Sequence, residues 1–314
     1  MLSISRSQIQ YVLALERTGS FSEAADYCFV TQSTLSTMIK KLEEQIEMRL
    51  FDRKSKPIAL TTEGRALIDQ FKIIHHEYEN LTELIQETRD ELYGTLKIGV
   101  IPTVAPFLLP LFLEKLISNH PDINFTVHEI TTGEIVHLLQ MRELDVGILS
   151  IPIANRGLVQ KSLFKEDFLV YDANEISKKR KRYKVDEIDV SRLWLLEESH
   201  CMSNQIGKIC QLRKNRKMNK NLVYRSGSIL SLLQLVKSNQ GLTLLPRLAT
   251  LHKSIIDEQF LSTLENPSPA REVGIVTHPN FTKKRLLNIL EKEILKAVKP
   301  VLKRNRELNV VDPF

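Results

Sequence analysis

The chain has 314 residues, of which 42% are hydrophobic and 26% are charged, and its formal net charge is +6. This length suits two or three modules that each bury a core, and the composition excludes a disordered or fibrous chain. No apolar run reaches the roughly 18 residues that a membrane span needs, and the start has no basic flank followed by an apolar signal core. We therefore expect a cytoplasmic protein with no membrane partner.

The three cysteines are Cys28, Cys201 and Cys210. They are too few for the disulfide framework of a secreted domain, so a disulfide in this chain would act as a switch. Cys28 falls within the pattern of a short helix and is expected in a core. The densest basic run, residues 178–184, is interpreted as a solvated loop.

Residues 1–62 have the pattern of a winged helix-turn-helix. The spacing of apolar residues predicts helices over 6–17, 23–28 and 32–46, and the polar basic turn 52–57 between short extended pieces has the features of a wing. The third helix is amphipathic and has an apolar stripe made of Leu35, Ile39, Leu42 and Ile46. Its opposite face carries hydroxyl, amide and ammonium groups, which are those of Gln32, Ser33, Thr34, Ser36, Thr37 and Lys40.

A long amphipathic helix is predicted from Thr62 or Glu63 to Glu91, which makes residues 63–92 a linker. Nothing within the segment covers its apolar stripe, so a second copy of the chain is its expected partner. We therefore expect a homodimer.

The pattern changes at Gly94, where strand-length apolar segments begin to alternate with helix-length amphipathic ones. This alternation predicts an α/β domain with a parallel sheet over residues 93–314. The predicted strands are 96–100, 124–129, 146–149, 193–196, 222–224, 241–245 and 273–277. The predicted helices are 106–118, 133–141, 229–238 and 283–302. The segment from Cys201 to Cys210 is interpreted as a loop.

One array, Ala24-Ala25, Val30 to Ser36, Leu42-Glu43 and Leu50 to Arg53, resembles the helix-turn-helix of LysR-type transcriptional regulators. The resemblance implies that the third helix enters the major groove of DNA and that the wing binds phosphates. The implied DNA-binding residues are Thr31, Gln32, Ser33, Thr34, Ser36, Lys40, Arg53 and Lys54. Two positions depart from the family pattern, since Ser33 stands where proline is common and Glu47 where glycine is usual. A positive φ at Glu47 would cost about 1 kcal/mol.

The same family joins this module through a linker helix to a periplasmic-binding-protein-like effector domain. The implied fold is an α+β multidomain protein whose effector domain has two α/β subdomains around a cleft. Subdomain I would comprise residues 93–165 plus 268–314, and subdomain II residues 166–267. Effectors would bind near Thr103 and Thr132, although both threonines could instead simply cap helices.

A second set of residues, Leu195 to Gln205, Cys210, Ile101 to Val104, His128-Glu129 and Gly241 to Pro246, resembles the peroxide-sensing OxyR group. In that group the cysteine matching Cys201 is oxidised to a sulfenic acid, which condenses with the one matching Cys210. The implied thiolate and peroxide environment consists of Thr103, Thr132, His200 and Arg271. Ser203 and Asn204 depart from the group, in which an Arg-Asp pair is common.

The chemistry of peroxide reduction requires a thiolate, whereas an ordinary cysteine with a pKa of about 8.5 is mostly protonated near neutrality. Cationic help is therefore expected, from Arg271 first and otherwise from His200 or Lys208. We interpret the chain as a peroxide-responsive homotetramer that binds promoter DNA and RNA polymerase. We expect no enzymatic activity, no cofactor and no metal.

Three alternatives stay open at this point. A regulator of the same architecture could sense a small molecule in the cleft. A thiol peroxidase or reductase would leave the DNA-reading helix unexplained, and no Cys-x-x-Cys motif occurs. A metal could bind His200, Cys201 and Cys210, but their spacing is not that of a familiar zinc site.

Overall fold

The computed structural model describes residues 3–87, 93–155, 157–177, 180–197, 201–211, 227–252, 255–302 and 307–314. The chain divides into two compact units. The first contains Met1–Glu91 with Met141–Glu143, and the second contains Leu92–Gln140 with Leu144–Phe314. No helix in the described ranges is both long and apolar enough to cross a membrane.

The first unit has the predicted three helices, wing and long helix. Its elements are α1 (Arg6–Thr18), α2 (Phe21–Tyr27), α3 (Gln32–Gln45), β1 (Phe51–Asp52), β2 (Ala59–Leu60) and α4 (Thr62–Glu87). The predicted end of the long helix at Glu91 lies outside the described residues. β1 and β2 pair antiparallel, so the basic turn between them is the wing.

Side-chain caps explain where the short helices begin. Ser5, Ser20 and Thr31 are the N-caps of α1, α2 and α3, and each accepts a hydrogen bond from a backbone N–H in the first turn. The apolar stripe of α3 contributes Leu35 and Ile39, both fully buried, to the core of this unit. Cys28 packs against the same core and is half-buried.

Two turns in this unit use the left-handed backbone region. Gly19 ends α1 with a φ of 64°, and a Cβ there would lie 2.7 Å from the Cβ of Pro57, so only glycine fits. Glu47 follows α3 with a φ of 55°, so this turn has a positive φ at a non-glycine residue. The turn that leads into the wing is therefore strained by its sequence.

The second unit alternates strands and helices around one sheet. Its elements are β3 (Gly94–Val100), α5 (Ala105–Asn119), β4 (Ile123–Glu129), α6 (Thr132–Gln140), β5 (Val146–Ile151), β6 (Val159–Asp172), β7 (Arg182–Tyr183), α7 (Cys201–Ile209), α8 (Ile229–Ser238), β8 (Leu242–Pro246), β9 (Leu261–Leu264), β10 (Ser268–Thr277), α9 (Lys284–Val298) and β11 (Leu308–Val310). The hydrogen-bonded order is β4-β3-β5-β10-β6-β9-β7, with β8 on β6 and β11 on β10.

The sheet is mixed, whereas the alternation predicted parallel pairing throughout. β3 is parallel to both β4 and β5, as expected. β10 is antiparallel to β5 and to β6. The prediction of an all-parallel sheet is wrong because strand and helix alternation predicts crossovers between strands that are close in sequence. β10 instead joins β5 and β6 only after the chain has formed β7, β8 and β9.

β6 is the longest strand and was not predicted. Its first part pairs with β10, and residues Phe168 to Asp172 pair with β8 and β9, so it joins the two parts of the sheet. The polar sequence Lys165-Glu166-Asp167 at its centre hides the strand pattern, because buried charges look like loop residues.

Three further predictions fall differently in the structure. The predicted strand 193–196 is reduced to a single bridge between Leu193 and Leu242. The segment that starts at Cys201 is the helix α7 rather than a loop, because Met202, Ile206 and Ile209 form a buried face. The basic run contains the short strand β7, while its residues 178 and 179 and the predicted strand 222–224 lie outside the described residues.

Candidate functional site

The start of α3 presents a group of hydroxyls to the surface. The Thr31 Oγ1 accepts from the backbone N–H of Thr34 at 3.2 Å and lies 2.9 Å from Ser33 Oγ and 2.8 Å from Thr34 Oγ1. Thr31, Gln32, Ser33 and Thr34 are all exposed, and Ser36 is half-buried. Exposed hydroxyls at the positive end of a helix suit a phosphate or a base edge.

The wing is tied to α3 by a partly buried ion pair. Arg53 Nη2 lies 3.0 Å from Glu43 Oε2, and the Arg53 guanidinium also lies over the ring of Phe21. The other carboxylate oxygen of Glu43 accepts from the backbone N–H groups of Leu50 and Phe51. Arg53 therefore holds the wing in place, and the exposed Lys54 beside it is the more available cation.

The second unit brings Cys201 and Thr132 together. Each is the first residue of a helix, α7 and α6 respectively. The Thr132 Oγ1 lies 3.2 Å from the Cys201 Sγ, and both side chains are buried. The positive ends of two helices thus approach one sulfur, which favours its thiolate form.

Burial raises the pKa of the Cys201 thiol above its ordinary value. The hydrogen bond from Thr132 opposes this shift, followed by a hydrogen bond to the backbone of Cys201 and by the positive charge of Arg271. Desolvation is the larger effect, so the net shift of the Cys201 pKa is upward in this conformation.

Arg271 lies fully buried on β10 and is paired with a carboxylate. Its Nε donates to Glu166 Oε1 at 2.9 Å, its Nη1 donates to Thr103 Oγ1 at 2.9 Å, and its Nη2 donates to the Thr103 carbonyl at 3.0 Å. The second Glu166 oxygen accepts from the backbone N–H of Leu248. Since Glu166 neutralises the guanidinium, Arg271 acts on Cys201 only weakly.

Cys210 follows the last residue of α7, and no disulfide joins its sulfur to that of Cys201. At about 1.5 Å of rise per residue, the nine steps from Cys201 place the two Cα atoms about 13 Å apart. A disulfide requires them to be within about 7 Å. The two thiols cannot bond while α7 is a helix.

Two family models match the chain. The lysR-family model of bacterial regulatory helix-turn-helix proteins matches residues 7–65, and the LysR substrate binding domain matches residues 89–294. The chain belongs to the LysR family. Its members are DNA-binding transcription regulators, which is not an enzyme class.

Curated relatives of this LysR-family chain include two regulators. The HTH-type transcriptional regulator EstR of Acinetobacter baylyi is 32% identical over 275 residues, which cover 87% of this chain and 90% of EstR. The DNA-binding transcriptional dual regulator OxyR of Escherichia coli is 30% identical over 273 residues, which cover 86% of this chain and 88% of OxyR.

Solved OxyR structures share the fold. A full-length variant from Pseudomonas aeruginosa has a TM-score of 0.76 at 24% identity and covers 94% of this chain and 99% of that one. OxyR from Porphyromonas gingivalis has a TM-score of 0.61 at 26% identity and covers 69% of this chain and 99% of that one. The LysR-family chain is thus OxyR-like in sequence and in fold.

The resemblance to the OxyR group implies that Thr103, Thr132, His200 and Arg271 surround the thiol. Thr132 contacts Cys201, while Thr103 contacts Arg271. His200 lies outside the described residues. Lys208, the third cation considered, donates to backbone oxygens of Asp312 and Phe314 instead of approaching the sulfur. Among the described residues, no group of three or more possible metal ligands occurs.

Sequence reasoning missed two contributors to this region. Glu166 is the buried partner of Arg271, and nothing in its local sequence separates it from a surface carboxylate. Gln205 on α7 is fully buried and donates to the Val311 carbonyl at 2.8 Å. Its position on the apolar face of a helix pattern was the available signal.

Proposed function

We propose that this LysR-family regulator senses hydrogen peroxide through Cys201 and uses Cys210 to convert the first oxidation product into a disulfide. The contact between the Thr132 hydroxyl and the Cys201 sulfur carries the proposal. A buried thiol that a hydroxyl and two helix ends surround is arranged for sulfur chemistry, since packing alone needs none of these groups. Relatives described as OxyR and as a hydrogen peroxide-inducible genes activator support the same function.

The proposed chemistry has two steps. The Cys201 thiolate attacks one oxygen of hydrogen peroxide, the S–O bond forms as the O–O bond breaks, and the second oxygen leaves as hydroxide and takes a proton to become water. The Cys210 thiolate then attacks the sulfenic sulfur, the S–S bond forms, and the S–O oxygen leaves as water. The sulfur of Cys201 is oxidised by two electrons in the first step, and peroxide is reduced.

The site residues divide between these steps. Thr132 orients the Cys201 sulfur, and the positive charge of Arg271, which donates to Thr103, opposes the rise in the pKa of Cys201. His200 is assigned to the peroxide environment from the resemblance alone. Because α7 must unwind before Cys210 reaches Cys201, oxidation changes the fold of the second unit.

On the DNA side, the exposed face of α3 is placed in the major groove and the wing on the phosphate backbone. The proposed contacts are those of Thr31, Gln32, Ser33, Thr34, Ser36, Lys40, Arg53 and Lys54. Two chains pair through the linker helix of residues 63–92, and two such dimers form a homotetramer on promoter DNA. Disulfide formation shifts how the dimers sit on the promoter and how they meet RNA polymerase.

The test replaces the reactive sulfur. Cys201→Ser keeps promoter binding and loses the change in footprint that peroxide causes in the parent protein. Mass mapping of the peroxide-treated parent gives a Cys201–Cys210 crosslink. Cys28→Ser is the matched control and responds like the parent. A Cys201→Ser protein that still responds to peroxide would overturn the proposal.

A second candidate is a regulator that binds a small effector between its subdomains, with the cysteines as bystanders. The raised pKa of Cys201 and the pairing of Arg271 with Glu166 favour it, because both weaken the thiolate. Thiol titration before and after sub-stoichiometric peroxide separates the two. Loss of two thiols for each peroxide added supports the sensor, and an unchanged thiol count supports the effector.

A further inference from the structure

The helix α7 is bound along one side to the segment Val311–Phe314. The Gln205 Nε2 donates to the Val311 carbonyl at 2.8 Å, and the Asn204 Nδ2 donates to the Pro313 carbonyl at 3.4 Å. The Lys208 Nζ donates to the Asp312 carbonyl at 3.3 Å and to the backbone oxygen of Phe314, and lies 3.9 Å from the Asp312 carboxylate. Three side chains within five positions thus bind one short segment.

This segment is also fixed to the strand that carries Arg271. Directly before it, β11 pairs parallel to β10 with Val310 opposite Ala270, and the Val311 N–H donates to the Ala270 carbonyl at 2.8 Å. Arg271 is the next residue of β10. The segment therefore connects the arginine strand of the cysteine site to the helix that must unwind.

Gln205 makes this connection costly to break. Its side chain is fully buried, and its Oε1 accepts no hydrogen bond within the described residues. The bond to Val311 is therefore the one that satisfies its amide among those residues. If α7 unwound without exposing Gln205 to water, a buried amide would lose that partner.

The geometry points to Gln205 and Lys208 as positioning residues that, through Val311–Phe314, hold α7 helical and so govern disulfide closure. The inference rests on the proposed function. The affected step is the attack of the Cys210 sulfur on the Cys201 sulfenic acid, which forms the S–S bond and releases water. The earlier reaction of the Cys201 thiolate with peroxide keeps its rate, because Thr132 and Arg271 are unchanged.

Removing the contacts destabilises the helical, reduced form relative to the disulfide form. For Lys208→Met and for Gln205→Leu we expect about a tenfold faster disulfide closure. We also expect a midpoint potential more negative by about 30 mV, which is the same tenfold change for a two-electron couple. Lys208→Arg retains a cation and restores parent values. Lys208 is partly exposed, so Lys208→Met folds even if the buried change at Gln205 does not.

The experiment uses the full chain and measures three quantities. Sulfenic acid formation is followed with a dimedone probe in the Cys210→Ser background, disulfide closure is followed by loss of free thiol, and the potential is measured in glutathione buffers. Lys161→Met, which removes an ion pair with Glu291 elsewhere in the unit, is the matched control and behaves like the parent.

The outcomes separate the two proposals. Faster closure with an unchanged sulfenic acid rate supports the inference. Equal closure in Lys208→Met and the parent overturns it while leaving the proposed function intact, and so does an equal acceleration in Lys161→Met. Absence of any Cys201–Cys210 disulfide in the peroxide-treated parent overturns the proposed function itself.

Discussion

The helices α3 and α7 are both short and amphipathic, yet they treat their polar groups in opposite ways. α3 buries aliphatic residues such as Leu35 and Ile39 and leaves Gln32, Ser33 and Thr34 exposed. α7 buries polar groups as well, among them Cys201 and Gln205. A helix whose exposed polar groups contact a binding partner can therefore stay rigid. A helix whose buried polar groups bond to the rest of its unit changes conformation when one of those groups reacts.

This contrast predicts which property each substitution changes. Changes on the exposed face of α3 alter binding to DNA and leave the stability of the fold nearly unchanged, because exposed side chains contribute little to it. Changes around α7 alter stability and thiol chemistry together, since buried hydrogen bonds and charges are expensive to leave unpaired.

The largest expected effect is on the buried ion pair beside the cysteine site. Arg271→Leu leaves the Glu166 carboxylate buried without its partner and lowers the free energy of unfolding by about 3–5 kcal/mol. Urea unfolding followed by the fluorescence of Trp194, the one tryptophan in the chain, measures it in the second unit. Adding Glu166→Gln to Arg271→Leu recovers part of the loss. An unchanged urea midpoint in Arg271→Leu would show that the pair is not structural.

The next largest effect is on DNA binding. The urea unfolding transition that Trp194 fluorescence reports should not change. Gln32→Ala weakens binding to the promoter by about 1–3 kcal/mol and relaxes base preference, whereas Lys54→Ala weakens all sequences alike and reduces the salt slope by about 1. Fluorescence anisotropy at several salt concentrations measures both. Lys296→Ala, an exposed lysine change on α9, is the control, and the same salt effect in that variant would contradict the wing assignment.

A smaller effect is expected at the hydroxyl beside the thiol. Thr132→Val removes a hydrogen bond that lowers the pKa of Cys201, so the pKa rises further above its ordinary value. A smaller thiolate fraction at pH 7 slows iodoacetamide alkylation by about threefold to tenfold, which corresponds to the free energy of one hydrogen bond. The pH profile of alkylation in the Cys210→Ser background measures the shift, with Thr131→Val as control. A profile that moves to lower pH would contradict the assigned role.

Because the pKa of Cys201 is raised in the folded chain, the free energy of unfolding should fall as pH rises through the alkaline range. The folded chain holds the Cys201 proton more tightly than the unfolded chain, so this contribution is fully present below the unfolded thiol pKa. It is lost as pH rises through the folded value. The urea midpoint of the parent should therefore fall with rising alkaline pH more steeply than that of Cys201→Ser. Parallel plots of midpoint against pH for the two proteins would contradict a raised pKa of Cys201 in the folded chain.

The smallest expected effect is in the turn after α3. Glu47→Gly relieves a positive φ at a non-glycine residue and raises the free energy of unfolding of the first unit by at most about 1 kcal/mol. Thermal unfolding by circular dichroism measures the gain. Glu47→Ala keeps a Cβ and should not show it, so an equal gain in both variants would point to the charge instead of the backbone.

The sequence by itself predicted elements with one buried face. The helices α1 to α3 and the parallel strands β3 to β5 have apolar residues at a regular period, and local caps such as Ser5 and Thr31 mark where the helices begin. The resemblance to OxyR also predicted that Thr132 and Cys201 belong to one site, and the two side chains are in contact.

Only the tertiary structure decided the partners of the buried polar groups. Glu166 is charged and locally resembles a surface residue, yet it neutralises Arg271 from a strand more than a hundred positions away. The helix α7 is likewise bound by Val311–Phe314, which no local pattern connects to Cys201. Periodicity records which side of an element is buried, whereas the pairing of charges and amides depends on contacts that form only when distant segments fold together.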